Sequence, residues 1–214
     1  MNDSYRHKGL RKKLVEGVRA KGIRNEEVLN ALQAVPRHFF LDSSFLEIAY
    51  QDKAFPIGSG QTISQPYTVA FQTELLQVEK GNKVLEVGTG SGYQACVLAE
   101  MGARVFTIER HRSLYRKTKQ LLNEMKYSIK LFYGDGYEGL PAFAPFDRIL
   151  VTAGAPQLPR KLLDQLKIGG VMVIPLGERD TQVMTRVVKH GYDELEKQEF
   201  GYFRFVPMLG DKER

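Results

Sequence analysis

One ten-residue stretch decides the fold of this 214-residue chain: Val84-Leu85-Glu86-Val87-Gly88-Thr89-Gly90-Ser91-Gly92-Tyr93. It begins as a short apolar run, continues through three alternate glycines and enters a segment in which apolar residues have helical spacing. Glycine lets the backbone turn sharply and lets a ligand lie against it without a Cβ in the way. The stretch therefore predicts a buried strand, a tight turn and a helix, with a nucleotide-like ligand at the turn.

Short apolar runs alternate with helical segments through the rest of the chain. The segments between the runs are long enough to cross the sheet as helices, which predicts a parallel, doubly wound α/β sheet. Two later runs flank His190-Gly191-Tyr192-Asp193 and predict a closing antiparallel pair at the C-terminal end. The predicted strands are Lys83–Val87, Arg104–Ile108, Ile129–Tyr133, Arg148–Thr152, Val171–Pro175, Val183–Val188 and Leu195–Tyr202.

The first 80 residues have a different character. Apolar residues recur with helical spacing from Leu10 to Val35, with a break near Gly22 and a helix start signal at Asn25, so we expect two helices outside the sheet. Residues 51–67 contain enough Gly and Pro to predict a long irregular loop, followed by a helix over 68–78. We expect one domain over 1–214, divided into N-terminal helices and this loop (1–80) and a Rossmann-like core with its closing strands (81–214).

The composition excludes several classes of protein. With 43% hydrophobic and 26% charged residues, the chain is typical of globular proteins, and we expect neither a signal peptide nor a membrane span. The single cysteine, Cys96, lies in a helix-like apolar stretch, so we expect it to be buried and the protein to be cytoplasmic. The four histidines lack partners at metal-ligand spacing, which predicts that no metal is bound.

The net charge of +6 gives little information about partners by itself. Its densest local run lies between Arg110 and Lys119, where leucines recur at helical spacing. This pattern favours a solvated helix face over a patch that binds RNA.

The spacing of the glycines and one acidic residue indicate which ligand the turn binds. A dinucleotide turn has the spacing G-x-G-x-x-G, whereas Gly88, Gly90 and Gly92 have the spacing G-x-G-x-G. Glu86, two residues before the first glycine, would be poorly placed beside a pyrophosphate but well placed to accept hydrogen bonds from the ammonium group of a methionine moiety. The pattern therefore favours S-adenosylmethionine (AdoMet) over NAD.

Two further acidic residues follow the next two predicted strands. Glu109 ends one of them, where a carboxylate can accept hydrogen bonds from both ribose hydroxyls. Asp135 follows the other and could accept from the adenine amino group, while the backbone at Gly136 recognises the ring nitrogens. The alternatives are a helix N-terminal charge for Glu109 and a turn residue for Asp135. Three acids after consecutive strands together favour the cofactor role.

Longer motifs resemble the protein-L-isoaspartate O-methyltransferase family. The most specific is Pro56-Ile57-Gly58-Ser59-Gly60-Gln61-Thr62-Ile63-Ser64-Gln65-Pro66-Tyr67, which AdoMet enzymes in general lack. The resemblance extends from Val35-Pro36-Arg37-His38-Phe39 to Phe205-Val206-Pro207 and so covers most of the chain. Leu140, Gly154 and Met208 depart from the residues that are usual in the family, but none of them is a polar residue of the expected site.

The resemblance implies a Rossmann-like AdoMet-dependent methyltransferase fold and a repair reaction. A methyl group would pass from AdoMet to the free α-carboxylate of an L-isoaspartyl residue in a damaged protein, leaving S-adenosylhomocysteine, and the ester would close to a succinimide. The resemblance also implies that Ser64 is the active-site residue and that Thr62, Ile63 and Tyr67 help to enclose AdoMet. A carboxylate is already ionised at neutral pH, so we interpret Ser64 as a positioning residue rather than a nucleophile. The residues implied to contact the substrate are Ile63, Ser64, Val206 and Pro207.

Two other functions stay open at this point. An RNA or small-molecule methyltransferase could use the same fold, although the segment around Ser64 lacks the interleaved basic and aromatic residues of RNA contacts. A non-enzymatic AdoMet-binding module would need a disabled reactant pocket. We expect isoaspartyl proteins and peptides as partners, no nucleic acid or membrane partner, and a monomer.

Overall fold

In the computed structural model, which describes residues 2–178 and 180–213, the chain forms a seven-stranded sheet with helices packed against it and a two-stranded sheet beside it. The helices are α1 (Tyr5–Ala20), α2 (Glu26–Ala34), α3 (Pro66–Leu76), α4 (Tyr93–Glu100), α5 (Arg112–Glu124) and α6 (Arg160–Gln165). The strands are β1 (Phe55–Gly58), β2 (Gln61–Ile63), β3 (Lys83–Val87), β4 (Arg104–Glu109), β5 (Lys130–Tyr133), β6 (Phe146–Val151), β7 (Leu166–Leu176), β8 (Gln182–Lys189) and β9 (Leu195–Phe203). Short 3-10 helices cover Arg37–Phe40, Ser43–Ile48 and Pro141–Phe143.

The large sheet has the strand order β5-β4-β3-β6-β7-β8-β9. Strands β3 to β7 pair in parallel, and β8 and β9 continue the sheet as an antiparallel pair. The chain moves outward from β3 to β5 and then returns to the other side of β3 with β6. The carboxyl ends of β3 and β6 therefore border the crevice where the topology reverses, which is where such sheets bind ligands. The expected doubly wound α/β class and its closing antiparallel pair are confirmed.

The two N-terminal helices are confirmed, and polar side chains fix where they begin. Helix α1 starts at Tyr5, five residues earlier than the apolar spacing predicts, because the Ser4 hydroxyl accepts a hydrogen bond from the His7 amide. The Asn25 side chain accepts hydrogen bonds from the first-turn amides of α2, as the sequence indicates. Both helices contribute to the same buried apolar cluster as α3 and α4, so they belong to the core of the fold.

The prediction of an irregular loop over residues 51–67 is wrong in its central part. Phe55 pairs with Ile63 across a short antiparallel hairpin, and the turn uses positive φ angles at Ser59 (51°) and Gly60 (66°). Phe55, Ile57 and Ile63 are buried, so the segment alternates between buried and exposed side chains as a strand does. Of the Gly and Pro residues that predict irregular structure, Pro56 and Gly58 lie in β1, Gly60 lies in the turn, and Pro66 starts helix α3.

Two smaller expectations are confirmed by burial. Cys96 is fully buried in α4, and burial raises the pKa of its thiol far above the ordinary value. On α5 the leucine side of the helix is buried, whereas Arg116, Lys117 and Lys119 are exposed, as expected for a solvated helix face. Among the described residues, no helix combines the length and the apolar character that crossing a bilayer requires.

Candidate active site

The carboxyl ends of β3, β4 and β6 border a pocket of about 830 Å³, open solvent at its mouth included. This size suits a small-molecule cofactor. The glycine turn forms one wall, the end of the β1–β2 hairpin forms another, and the segment after β9 forms a third. The predicted site residues that line it are Thr62, Ile63, Ser64, Glu86, Gly88, Gly90, Glu109, Gly136, Val206 and Pro207.

Three predicted residues do not line this pocket. Tyr67 lies in a neighbouring groove. Gly92 adopts a φ of +86° at the start of α4, where a Cβ would approach the Thr118 methyl group to 2.8 Å, so this glycine serves close helix packing. Asp135 uses one carboxylate oxygen for the Tyr137 amide and the other for the Asp211 amide, both at 2.8 Å. In this structure its side chain therefore holds its own turn and the C-terminal segment.

The glycine turn is fixed by contacts between the ends of β3 and β6. Gly88 has a φ of +97°, which L side chains rarely adopt. The Thr152 hydroxyl donates to the carbonyls of Val87 (3.0 Å) and Gly88 (2.7 Å). A Cβ on Gly88 would lie 2.5 Å from the Thr152 hydroxyl oxygen. The sequence motif predicts the need for glycine here, but the partner across 64 residues is visible only in the fold.

Glu86 lies at the bottom of the pocket with its carboxylate fully buried. One oxygen accepts a hydrogen bond from the Thr107 hydroxyl at 2.6 Å, while the other has no partner among the described residues. Burial, together with the nearby charge of Glu109, raises the pKa of Glu86 to about 8. A buried carboxylate oxygen without a partner fits a site for a cationic donor such as an ammonium group.

Glu109 holds two parts of the pocket wall together. One of its oxygens accepts from the Gly90 amide and the other from the His111 amide, each at 2.8 Å. These contacts fix the glycine turn relative to the start of α5, and each carboxylate oxygen keeps a further lone pair for a ligand. The geometry supports both interpretations made from the sequence, the ligand acceptor and the helix N-terminal charge.

Ser64 follows the hairpin and lies half-buried at the junction of the pocket and the neighbouring groove. Its hydroxyl makes no hydrogen bond with any residue that the structure describes, whereas its carbonyl accepts from Arg37 at 2.9 Å. The same Arg37 nitrogen lies 3.2 Å from the Lys53 carbonyl, and its guanidinium lies 4.9 Å from the centre of the Tyr93 ring. Burial lowers the pKa of Arg37 to about 10. A buried arginine therefore anchors the backbone on both sides of the hairpin.

We expect Arg37→Met to impair methyl transfer rather than cofactor binding. Loss of a charged donor to the Ser64 carbonyl should lower kcat/KM about tenfold, with a smaller change in the AdoMet Kd. Arg37→Lys should recover part of the activity because its ammonium can reach one carbonyl. Steady-state kinetics and calorimetric binding would measure both effects.

Arg11→Met is the matched control for this substitution. Arg11 is also buried, but it anchors Asp3, Tyr50 and the Gln33 carbonyl, away from the pocket. Arg11→Met should lower Tm and leave kcat/KM unchanged. Equal kinetic losses in both variants would show that Arg37 acts only through stability.

The contacts made by Arg37 and by the C-terminal segment are not predicted by any local sequence pattern. Arg37 belongs to a motif that carries the family resemblance, yet no local pattern indicates its partners 16 and 27 residues away. Met208 and Leu209 line the pocket, and Arg110 donates to the Asp211 carbonyl at 3.0 Å. The segment that follows Pro207 therefore closes one side of the site.

A cluster of possible metal ligands lies away from the pocket. Potential ligand atoms of Asp3, His7 and His38 fall within 4.8 Å of one another, a grouping that sequence spacing does not indicate. Asp3 already accepts two hydrogen bonds from Arg11, and His38 contacts the Tyr50 hydroxyl at 2.7 Å. Because a guanidinium already neutralises the carboxylate, we interpret this cluster as the anchor of the N-terminal segment.

Comparisons with known proteins identify the family. The sequence model of the protein-L-isoaspartate(D-aspartate) O-methyltransferase family matches residues 9–213. A protein-L-isoaspartate O-methyltransferase from Cytophaga hutchinsonii is 61% identical over 210 residues, 98% of this chain and 95% of the relative. One from Christiangramia forsetii is 60% identical over 213 residues, 99% of this chain and all of the relative.

A solved structure supports the same assignment. The protein-L-isoaspartate O-methyltransferase of Plasmodium falciparum, in complex with S-adenosyl-L-homocysteine, matches with a TM-score of 0.82 and 27% identity. The match covers 93% of this chain and 98% of that chain. The family expected from the motifs is thus confirmed. The chain belongs to the protein-L-isoaspartate(D-aspartate) O-methyltransferase family.

Proposed function

We propose that this protein transfers a methyl group from AdoMet to the free α-carboxylate of L-isoaspartyl residues in damaged proteins and peptides, giving an ester that converts to a succinimide. The observation that carries the proposal is the shape of the pocket. Its glycine turn faces the Ser64 end of the hairpin and the Val206–Pro207 segment, so one cavity has a wall for each reactant. The family assignment supplies the chemical identity of the substrate.

The pocket walls support a placement of the cofactor that uses the predicted residues. Glu86 offers a buried acceptor without a partner to the ammonium group of the methionine moiety. Glu109 offers its free lone pairs to the ribose hydroxyls, and the backbone at Gly136 lines the position expected for adenine. Thr62 and Ile63 cover the glycine turn from the hairpin side. For Tyr67 and Asp135, which lie outside the pocket, we propose contact only after a movement of the hairpin end or the C-terminal segment.

The residues of the site can act without a general base or a metal. When bound, AdoMet supplies an electrophilic methyl group. A substrate carboxylate has a pKa of about 4 and is ionised at neutral pH, so alignment and exclusion of water are the remaining tasks. Ser64 can donate its free hydroxyl to one carboxylate oxygen, and the buried charge of Arg37 holds the Ser64 backbone in place. Val206 and Pro207 provide an apolar wall behind the substrate.

The direct test is methyl transfer from labelled AdoMet to a synthetic peptide with one L-isoaspartyl residue, beside the same peptide with normal aspartate. We expect base-labile label on the isoaspartyl peptide alone. Label on both peptides would contradict the proposed selectivity, and no label on either, with AdoMet binding confirmed, would contradict the proposed substrate. RNA would then be tried next, in filter binding over a series of salt concentrations.

Substitutions of Glu109 and Ser64 should separate cofactor binding from turnover. Glu109→Ala removes the acceptor that fixes the Gly90 amide and should raise the AdoMet Kd about thirtyfold. Ser64→Ala removes only a free hydroxyl and should lower kcat about tenfold with the AdoMet Kd nearly unchanged. Isothermal titration and initial-rate kinetics provide the two readouts. Equal losses of cofactor affinity in both variants would contradict this division of roles.

The proposal also covers the domain organisation, the oligomeric state, the partners and the location of the protein. We propose that residues 1–214 work as one domain, since the hairpin of the N-terminal part and the glycine turn of the core line the same pocket. We propose a monomer, with no nucleic acid partner and no bound metal. A cytoplasmic location is supported by the single buried cysteine, because proteins of oxidising compartments commonly carry disulfides.

A further inference from the structure

A second groove opens beside the pocket. The two share four residues, Thr62, Ser64, Thr152 and Val206. The groove then extends between the start of α3 and the segment from the end of β9. A polypeptide whose isoaspartyl carboxylate lies at Ser64 would continue in both directions from that point. The groove therefore lies where residues flanking the isoaspartyl residue would bind.

Aromatic side chains form the walls of this groove. Phe71 lies between Tyr67 and Phe203, with ring centres 5.8 Å and 5.2 Å away, both in stacked arrangements. Phe205 lines the groove as well. Aromatic side chains offer large contact areas with few rotatable bonds, which suits a surface that must accept many different peptides. Such walls provide affinity but little discrimination between sequences.

Arg204 is the one charged residue among those that line the groove. It is exposed, and the described residues give it neither a salt bridge nor a hydrogen bond. Asp52, which contacts the groove residues Gln65 and Tyr67, already has a cationic partner, since it accepts from Lys21, from the Gln65 side chain and from the Tyr67 amide. The groove thus presents a guanidinium without a counterion next to the proposed reaction site.

We propose that this groove binds the substrate segment that flanks the isoaspartyl residue and that Arg204 selects segments with a carboxylate side chain there. The inference rests on the proposed function and adds a preference in substrate sequence. A guanidinium pairs with carboxylates in fixed geometry, and side chains two residues apart in an extended segment lie on the same side. The preference therefore falls on one or two positions within three residues of the isoaspartyl residue. Continuity with the pocket and the unpaired charge favour this occupant over a second copy of the chain.

The test uses peptides with one L-isoaspartyl residue and with Glu, Gln or Lys placed in turn at each of the three positions on either side. With the unaltered enzyme, we expect the KM of the Glu peptide to be three- to tenfold below that of the Lys peptide at one or two positions. The ratio should shrink at high salt, because the pair is exposed. Arg204→Gln should bring the ratio close to one, and Arg204→Glu should reverse it. Circular dichroism and Tm would verify folding of each variant.

Arg116→Glu is the matched control. It changes the net charge by the same amount on the exposed face of α5, outside the groove lining, and should keep the ratio of the unaltered enzyme. If the ratio of the KM values of the Glu and Lys peptides is the same in Arg204→Glu as in the unaltered enzyme, the inference is overturned. An equal rise in KM for the Glu, Gln and Lys peptides in Arg204→Glu would also overturn it. So would a dimer of the unaltered enzyme that Arg204→Glu dissociates, because the occupant would then be a second copy of the chain. Failure to methylate even the Gln peptides would instead contradict the proposed function, so the two failures are distinguishable.

Discussion

Gly88→Ala is expected to abolish measurable methyl transfer and to lower the stability of the fold. The added Cβ would lie 2.5 Å from the Thr152 hydroxyl oxygen, closer than any real contact allows, on a backbone with a φ of +97°. Thr152 cannot move away freely, because its hydroxyl donates to the carbonyls of Val87 and Gly88. Relief of the clash must therefore displace the glycine turn or break the link between the ends of β3 and β6.

The expected size of this effect combines two contributions. A positive φ at a non-glycine residue costs about 1–2 kcal/mol, and the forced loss of the Thr152 contacts should raise the total to roughly 3 kcal/mol. For a chain of this length, that corresponds to a fall in Tm of about 8 °C. The AdoMet Kd should rise at least about a hundredfold, since the displaced turn is a pocket wall. Thermal unfolding and calorimetric titration would measure the two effects.

Two further variants separate the backbone cost from the clash. Gly81→Ala introduces a Cβ at a φ of +86° with no atom within 4 Å, outside the pocket, so it should cost about 1 kcal/mol and leave AdoMet binding unchanged. Adding Thr152→Ala to Gly88→Ala removes the clashing oxygen and leaves the Thr152 Cβ position 3.8 Å away, which is an ordinary contact. The double variant should be more stable than Gly88→Ala alone. If it is equally unstable, the clash is not the cause.

The sequence predicts what depends on local pattern. The strand Lys83–Val87 is recovered with the same bounds because five residues with an apolar majority precede a glycine turn. Doubly wound topology follows from the alternation of such runs with helical segments. Glu86, Glu109, Gly88 and Gly90 could be assigned to one pocket since the carboxyl ends of parallel strands meet at one edge of a sheet.

What the sequence does not predict depends on contacts between distant segments. The sequence does not predict the hairpin, because β1 has only four residues and two of them, Pro56 and Gly58, are typical of irregular structure. Asp135 accepts a hydrogen bond from the amide of Asp211, which lies 76 positions further along the chain. The role of Arg37 also depends on distant segments, since the sequence does not show which backbone carbonyls a buried arginine contacts.

The affinity for AdoMet is expected to increase with pH between about 5.5 and 7.5. Burial, with the charge of Glu109 nearby, raises the pKa of Glu86 to about 8 in the free protein, so most molecules carry a protonated Glu86 throughout this range. The ammonium group of the proposed ligand, an α-amino group with a pKa of about 8, stays mostly charged over the same range. Binding of the cation favours the ionised carboxylate and must therefore release a proton. The association constant should then rise by up to about tenfold per pH unit.

In the free protein, the titration of Glu86 has the opposite effect on stability, which falls as the pH rises, whereas the affinity for AdoMet increases. The folded-state pKa of Glu86 is raised from 4.5 to about 8, so the folded state binds the proton more tightly than the unfolded state does. The contribution of this residue to stability is fully present below about pH 4.5 and is lost as the pH rises through about 8. As the pH rises from about 4.5 to about 8, the stability of Glu86→Gln should therefore fall less than that of the unaltered protein. Saturating AdoMet should reduce this fall in the unaltered protein, because it provides the missing counterion.

Glu86→Gln provides the decisive comparison for the proposed ammonium site. The amide has the shape of the carboxylate but no charge, so the variant should bind AdoMet about a hundredfold more weakly at pH 7.5 and show no rise in affinity from pH 5.5. Calorimetric titration in buffers of different ionisation enthalpy should detect proton release in the unaltered protein near pH 7 and none in the variant. A pH dependence that survives Glu86→Gln unchanged would assign the titrating group elsewhere and remove Glu86 from the proposed contact with the ammonium group.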